Sequence, residues 1–332
     1  MAKEFDFIVV GGGTAGNVAA GRLAENSKLS VPAIEAGRGD PEKIEEVMTP
    51  AQAFECRNVP NDWKYKPTFI DRPDYTRVEK PNTRGKVLDG SSGLKDFTWV
   101  RGSKGTFDNW EAFGGLGWNW EGNNEYFDKA SFPLIFVGLL ELVVFPRIED
   151  RLNKIIEYVK VKEDKGGKDP SGAAGQPHFE VEFVPIFAEV FQWHFSVPKE
   201  GNWLTIVDLM RPVSKPGFVK LQSADPRMDP YININFLEDN PDVISLREGD
   251  RFIDDMLMTD YGFEDIVGED YPSPMPRNLD EAMDKLILER PSGKCRLLKN
   301  IKEGVVDGQL KVHRFKNLPD SECCLHGWRE GC

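Results

Sequence analysis

Positive charge is short in this chain: 42 Lys and Arg against 55 Asp and Glu leave a formal net charge of −13 over 332 residues. That balance excludes nucleic acid and anionic membrane surfaces as expected partners, because gripping phosphates needs a basic face. Long apolar runs are lacking too. The most apolar stretch, Phe132 to Phe145, contains Pro133 and Glu141 and is too short to span a bilayer. Histidine is rare, with four in the chain, and the five cysteines show no C-x-x-C spacing. An odd cysteine count, in a chain whose first strand starts almost at Met1 with no signal peptide ahead of it, points to reduced thiols and a cytoplasmic protein. The tail from Cys323 and Cys324 through His326 to Cys332 lacks paired ligand spacing, so no metal is expected. Repeats and low-complexity tracts are absent. What remains is a globular composition, 40% hydrophobic and 29% charged, with room for two cores.

The most informative segment is Asp6 to Gly16. An apolar run, Phe7 to Val10, reads as a buried strand that stops at Gly11, Gly12 and Gly13. A helical pattern follows, with Ala15, Val18, Ala19 and Leu23 on one face. Gly11, Gly13 and Gly16 stand in G-x-G-x-x-G spacing, each for a reason: the first permits the turn, the second lets backbone approach a pyrophosphate, the third lets helix pack on strand. The phosphates would meet free N–H groups and the positive end of the helix dipole around Thr14 and Ala15. A second apolar segment, Ser30 to Ile34, ends at Glu35 and Ala36, where a carboxylate would accept from a ribose hydroxyl. Strand, helix and acid in this register predict a bound dinucleotide.

The glycine motif does not separate FAD from NAD. The segment Asn82 to Gly102, which contains Gly85-Lys86-Val87-Leu88 and Gly90-Ser91-Ser92 and ends on Arg101-Gly102, resembles the first signature of the glucose–methanol–choline (GMC) oxidoreductases. Asp108 to Trp110, Gly114 to Trp120, Arg211 to Lys215, Gly217 to Leu221 and Asp229 to Asn235 are also similar to that family, in its fungal alcohol-oxidising branch. The resemblance covers residues 1 to about 130 and about 137 to 318. It implies FAD as cofactor, with Val87 and Ser91 on the loop that wraps it, and a small-molecule alcohol as substrate, oxidised at its CH–OH group by hydride transfer to flavin. The implied fold class is mixed α/β and α+β: an incomplete Rossmann-like FAD-binding domain with an antiparallel-sheet substrate domain.

Along the chain, this gives an FAD-binding part over 1–130, a junction and linker over 131–175, a substrate domain over 176–318 and a divergent tail over 319–332. His178 to Phe183 and Phe218 to Gln222 alternate, and Leu204 to Leu209 is more continuously apolar, so these are expected strands of an antiparallel sheet with one covered face. Asn240-Pro241 opens an expected helix with Leu246, Ile253 and Leu257 on its apolar face. Asn278 with Glu281 forms a capping-box pattern ahead of Leu279, Ala282, Met283, Leu286 and Ile287. Tyr271 to Pro276 reads as a rigid connector. The tryptophans at 99, 110, 118 and 120 read as packing.

The chain also departs from the family it resembles. Family members abstract the alcohol proton with a His in a His-Pro-x-Gly-Thr loop, and a second His or Asn completes the pair. Here the matching run is Glu289 to Leu297: Pro291 and Gly293 align, but Arg290 occupies the His position and Lys294 the Thr position. Arginine stays protonated and is no base. The resemblance ends after Leu318, leaving the second catalytic residue without a counterpart. Family sequence is also missing near 130–137, which leaves the two N-terminal strands short of partners and the run at 132–145 open to exposure. Pro32 interrupts the second strand. Asp89 replaces a glycine, Lys95 replaces an Asn, and Asp250 falls on the apolar side of its helix, costly if buried unpaired. His194 sits in an aromatic cluster, His313 reads as structural, and His178 as solvent-facing. Two readings follow: an FAD-dependent oxidoreductase, or a catalytically inactive truncated remnant that holds at most part of FAD. A flavin-bearing lyase on the same fold is a third. Oligomeric state is open.

Overall fold

In a computed structural model of the chain, the described residues are 4–49, 52, 55–77, 83–94, 102–130, 142–184, 204–211, 213, 217–259, 270 and 274–289. The N-terminal half runs β1 (Val9–Val10), α1 (Thr14–Ala24), β2 (Ala33–Ile34), α2 (Glu45–Met48), β3 (Ile70–Asp71), β4 (Thr76–Arg77), α3 (Lys104–Gly114) and α4 (Trp120–Ala130). It continues with β5 (Leu142–Val144), α5 (Glu149–Leu152), α6 (Ile156–Asp164), β6 (Phe179–Val184), β7 (Thr205–Met210), β8 (Phe218–Lys220), β9 (Tyr231–Asn233), α7 (Asn240–Thr259) and α8 (Asp280–Glu289).

The opening β1–α1–β2 unit is a parallel crossover, with Val9 opposite Ala33 and Val10 opposite Ile34. Among the described residues its sheet has these two strands alone. The consequence is seen on one face: Val10, 80% exposed, and its partner Ile34, 56% exposed, lie open, and Phe7 and Ile8 are exposed rather than buried as the apolar run implied, whereas Val9, on the α1 side, is half-buried. Pro32 lies just ahead of β2, where its carbonyl still accepts from Val9 N–H at 3.0 Å. A proline lacks only the donor, so the pairing survives at its edge.

The excursion after β2 is tied to the C-terminal half. Thr68 and β9 exchange backbone bonds, Thr68 N–H to Ile232 O at 2.8 Å and Ile234 N–H to Thr68 O at 2.9 Å. Phe69 and Ile70 thereby enter a core with Ile232, Ile234, Leu237, Val243 and Ile287. Ser103 caps α3 by accepting from Thr106 N–H at 3.3 Å. Phe107, Trp110, Trp118, Trp120 and Phe127 pack against one another in tilted and edge-on pairs between α3 and α4, so those three tryptophans are packing residues as expected; Trp99 lies outside the described residues.

The larger core lies under the antiparallel sheet β5-β6-β7. Its alternating strand β6 turns Phe179, Val181 and Phe183 inward against Ile244, Ile253 and Leu257 of α7. The expected strands at 178–183 and 204–209 are both present, but the covering differs in detail. Glu180, on the other face, is only 4% exposed, because β6 is the central strand. The third expected strand, β8, pairs with β9 in a separate two-stranded sheet and is exposed along its length. The described part of 131–175 contributes β5, α5 and α6, with Ile148, Leu152 and Tyr158 in this core. Val143 and Val144 are half-buried rather than exposed, since β5 pairs with β6.

His178 is a correction. It is fully buried rather than solvent-facing, and both ring nitrogens are engaged: Nδ1 accepts from Ile148 N–H at 3.2 Å, and Nε2 sits 2.7 Å from Asp169 Oδ2. Because Nδ1 must be an acceptor there, Nε2 carries the proton and donates to Asp169. Tyr158, Ser171 and Arg147 also donate to Asp169, closing a buried polar cluster. The helix from Asn240 forms as expected, and Asp250 on it is half-buried with a partner. The last described helix starts at Asp280, so Leu279, not Asn278, holds the cap position and the capping box does not form; Leu279 is exposed, whereas Met283 and Ile287 are buried.

Candidate dinucleotide site

Three segments meet at the mouth of the β1–α1 turn. Gly11 adopts φ +98°, a left-handed conformation that turns the chain out of β1, and its N–H reaches back to Ile34 O at 2.7 Å. Gly16 lies in the first turn of α1, against that turn: a Cβ there would fall 2.0 Å from Gly11 O, which only glycine avoids. Gly13 is the N-cap and, as glycine, offers no side chain to the helix's first N–H groups. These groups have no intrahelical acceptors and, with the dipole, form an anion-seeking end. Thr14 is exposed, Ala15 half-buried, and Gly12, Gly13 and Gly16 are buried.

Glu35 ends β2 beside this turn. Its Oε2 accepts from Gly12 N–H at 2.8 Å and its Oε1 from Gly37 N–H at 2.7 Å. One half-buried carboxylate thus locks the glycine turn to the end of the second strand. An ionised carboxylate has about four acceptor positions, so it retains capacity for a sugar hydroxyl. Ala36 is exposed at the same rim.

The third segment is residues 83–94, which end in a 3₁₀ turn over Gly90–Leu94. Val87 bridges Arg38 in parallel, and Leu88 N–H donates to Arg38 O at 2.7 Å. Asp89 N–H then donates to Gly12 O at 2.7 Å, and Thr14 Oγ1 and Ser92 Oγ share a hydrogen bond at 2.5 Å. Gly90, at φ +57°, lies so close that a Cβ would sit 2.7 Å from Gly13 Cα. Asp89 has φ +84°, which accounts for the glycine expected there: the backbone asks for one.

The sequence-derived residues Gly11, Gly13, Thr14, Ala15, Gly16, Glu35, Ala36, Val87 and Ser91 therefore lie on three segments that meet at the β1–α1 turn. Besides Glu35 and Thr14, two more of them have duties within the protein. Val87 is 0% exposed and offers its backbone alone, and Ser91 Oγ accepts from Gly85 N–H at 3.3 Å. Ser92 and Gly12 stand in the two sequence motifs but are not among the expected cofactor-binding residues. The G-x-G-x-x-G spacing leaves the second glycine of the triplet unspecified, and a hydroxyl pair across two loops has no local signal. Arg290, Lys294, Lys95, Arg101, His194 and His313 lie outside the described residues. His178, the histidine within them, has both nitrogens occupied in another part of the molecule. Among the described residues no group of His, Cys, Asp and Glu could hold a metal, and no helix is long and apolar enough to cross a membrane.

Comparison with known proteins agrees with this geometry. Two family models described as GMC oxidoreductase match residues 5–169 and 212–319. The formate oxidase of Aspergillus oryzae, solved in work on its FAD modification, superposes with a TM-score of 0.86 at 32% identity, over 96% of this chain and 93% of that one. The chain belongs to the GMC oxidoreductase family. Curated relatives match over shorter stretches. An ecdysone oxidase of Spodoptera littoralis is 37% identical over 132 residues, 39% of this chain and 21% of the relative. The GMC-type oxidoreductase acuG of Aspergillus aculeatus is 35% identical over 174 residues, 52% of this chain and 32% of the relative. The matched stretch therefore spans between a fifth and a third of those relatives. The N-terminal GMC model runs on past the 131–141 interval to residue 169.

Proposed function

We propose that the crevice holds FAD by its ADP half and that the chain serves oxidation of the CH–OH group of a small alcohol. The observation carrying this is the single carboxylate of Glu35, bonded to Gly12 and Gly37 N–H beside the N-terminus of α1. The residues suit the group: α1 offers amides and a positive dipole end to a pyrophosphate, Glu35 an acceptor to a ribose, and 83–94 a closely apposed wall. Bound flavin would supply the hydride acceptor. The chain's own part is to orient and shield that group through Gly11–Gly16, Glu35 and the backbone of 85–92. The same reading takes no nucleic acid as partner, on net charge, and a reducing, cytoplasmic setting, on five cysteines without paired spacing. Purified protein should show flavin absorbance after reconstitution with FAD, and a colourless protein would remove the cofactor.

One observation favours a second reading, a catalytically inactive remnant: Arg290 stands where the family resemblance places the proton-abstracting histidine. On this reading the yellow protein keeps its flavin spectrum when a primary alcohol is added without oxygen, and Arg290→His alone does not restore bleaching. Bleaching of the unaltered protein would reject it.

A further inference from the structure

Asp62 lies outside the crevice, yet its carboxylate is buried, 4% exposed, and is surrounded by main-chain N–H groups. Oδ2 accepts from Asn58 N–H at 3.0 Å; Oδ1 accepts from Lys64 N–H at 3.0 Å and from Arg84 N–H at 2.9 Å. Asn58 and Lys64 both stand in the left-handed region, at φ +61° and +57°. Lysine gains nothing intrinsic from that conformation, and such strain persists where surrounding bonds over-determine it. The carboxylate therefore holds a tight 58–64 loop in a shape it would not keep alone.

That loop abuts the second glycine segment. Asp62 bridges Gly85 in antiparallel fashion, Trp63 N–H donates to Arg84 O at 2.8 Å, and Lys86 N–H donates to Asn61 O at 2.6 Å. Lys86 Nζ also lies 4.6 Å over the Trp63 ring, which stacks on Tyr65. From Lys86 the bonding passes to Arg38, then through Leu88 and Asp89 to Gly12 O. An unbroken run of main-chain bonds thus joins the Asp62 carboxylate to the glycine turn that faces the cofactor.

We propose that Asp62 is the positioning residue of the 84–89 backbone, fixing the wall of the FAD crevice before cofactor arrives. This rests on the FAD reading above. The test uses the full chain with Asp62→Asn, and with Leu152→Ala as a control that opens the distant core without touching either loop. Two quantities are read: the FAD dissociation constant from quenching of flavin fluorescence, and amide exchange of 84–89 in the apoprotein. Asp62→Asn should weaken FAD by about tenfold to a hundredfold, the loss expected for one charge-assisted set of bonds, and speed exchange at 84–89 but not in α7. Leu152→Ala should lower the melting temperature and leave FAD affinity unchanged. Should Asp62→Asn not fold, Asp62→Glu, which keeps the charge but moves it by a methylene, should give the same two changes at smaller size. Unchanged exchange at 84–89, or a loss of FAD that merely follows melting temperature in both variants, overturns the role of Asp62. Wild-type protein that takes no FAD overturns the cofactor reading instead, and the exchange measurement still decides whether Asp62 holds the loop.

Discussion

At the residue scale, acceptors rather than charges decide the crevice. Glu35 serves two amides with one carboxylate, so Glu35→Gln keeps the shape but turns one acceptor into a donor facing an N–H. The expected result is a loss of about 1–3 kcal/mol in stability or FAD binding, read by denaturant titration with and without FAD. Gly16→Ala should be worse for its size. Alanine normally helps a helix by about 1 kcal/mol over glycine, but here the added Cβ meets a main-chain oxygen that cannot rotate away. Overpacking of that kind costs about 1–3 kcal/mol, so the net sign is destabilising and FAD uptake should fall; a raised melting temperature would contradict the geometry. Asp169 sets a pH dependence. Burial pushes its carboxyl up, but bonds from His178, Tyr158 and Ser171 outweigh that and hold it well below the usual carboxylate range. A depressed folded-state value means stability present above the unfolded carboxylate range and lost as pH falls below it. Asp169→Asn should flatten that acid limb of a melting-temperature profile.

At the element scale, α7 and α8 are joined by ion pairs of unequal burial. Arg247 is 7% exposed and reaches Asp284 Oδ1 at 2.7 Å, whereas Asp284 is 34% exposed. Removing Asp284 leaves the buried cation with only the longer contacts to Glu248 and Asp280, each at 3.5 Å, while removing the cation leaves Asp284 as a carboxylate that water can reach. Asp284→Ala, which loses the short charge-assisted bond, is therefore expected to cost about 1.5–3 kcal/mol and Arg247→Met about 1 kcal/mol or less, measured as shifts in urea midpoint. The reverse order would show that the pair does not share its burden in this way. This asymmetry was not legible in the sequence. The 3.6-residue period marked the inner face of α7 at Leu246, Ile253 and Leu257, but which neighbour reaches Arg247 depends on how α8 is laid against it. The missed capping box has a similar origin: Asp280 pairs with Arg251 at 2.6 Å, and the helix starts at that residue.

At the scale of the whole molecule, burial is uneven. The C-terminal half has two cores that share α7, and the excursion at 68–70 is bonded into one of them. The β1–α1–β2 unit carries apolar residues outward, Val10 and Ile34 on the open face of its strands and Val18 on α1 at 63% exposed. Local opening follows local burial, so amides of α1 and β1 should exchange before those of β6 and α7 in the protein without FAD. Added FAD should slow them selectively, because a ligand that binds only the closed form stabilises it by mass action. Uniform exchange across both regions would show that the N-terminal unit is covered in solution.

The chain's own pattern determined the glycine turn, the acid at the end of the second strand, the strand at 178–183 and the helix from Asn240, because each is written in spacing over a few residues. It also determined the family, through the 82–102 signature. Tertiary structure alone decided that Glu35, expected as an acceptor for a ribose, bonds the glycine turn itself, that Asp62 reaches Arg84, and that His178 is buried on Asp169 rather than turned to water. Those are contacts between segments distant in sequence, fixed by how surfaces meet, and no local period encodes a meeting of surfaces.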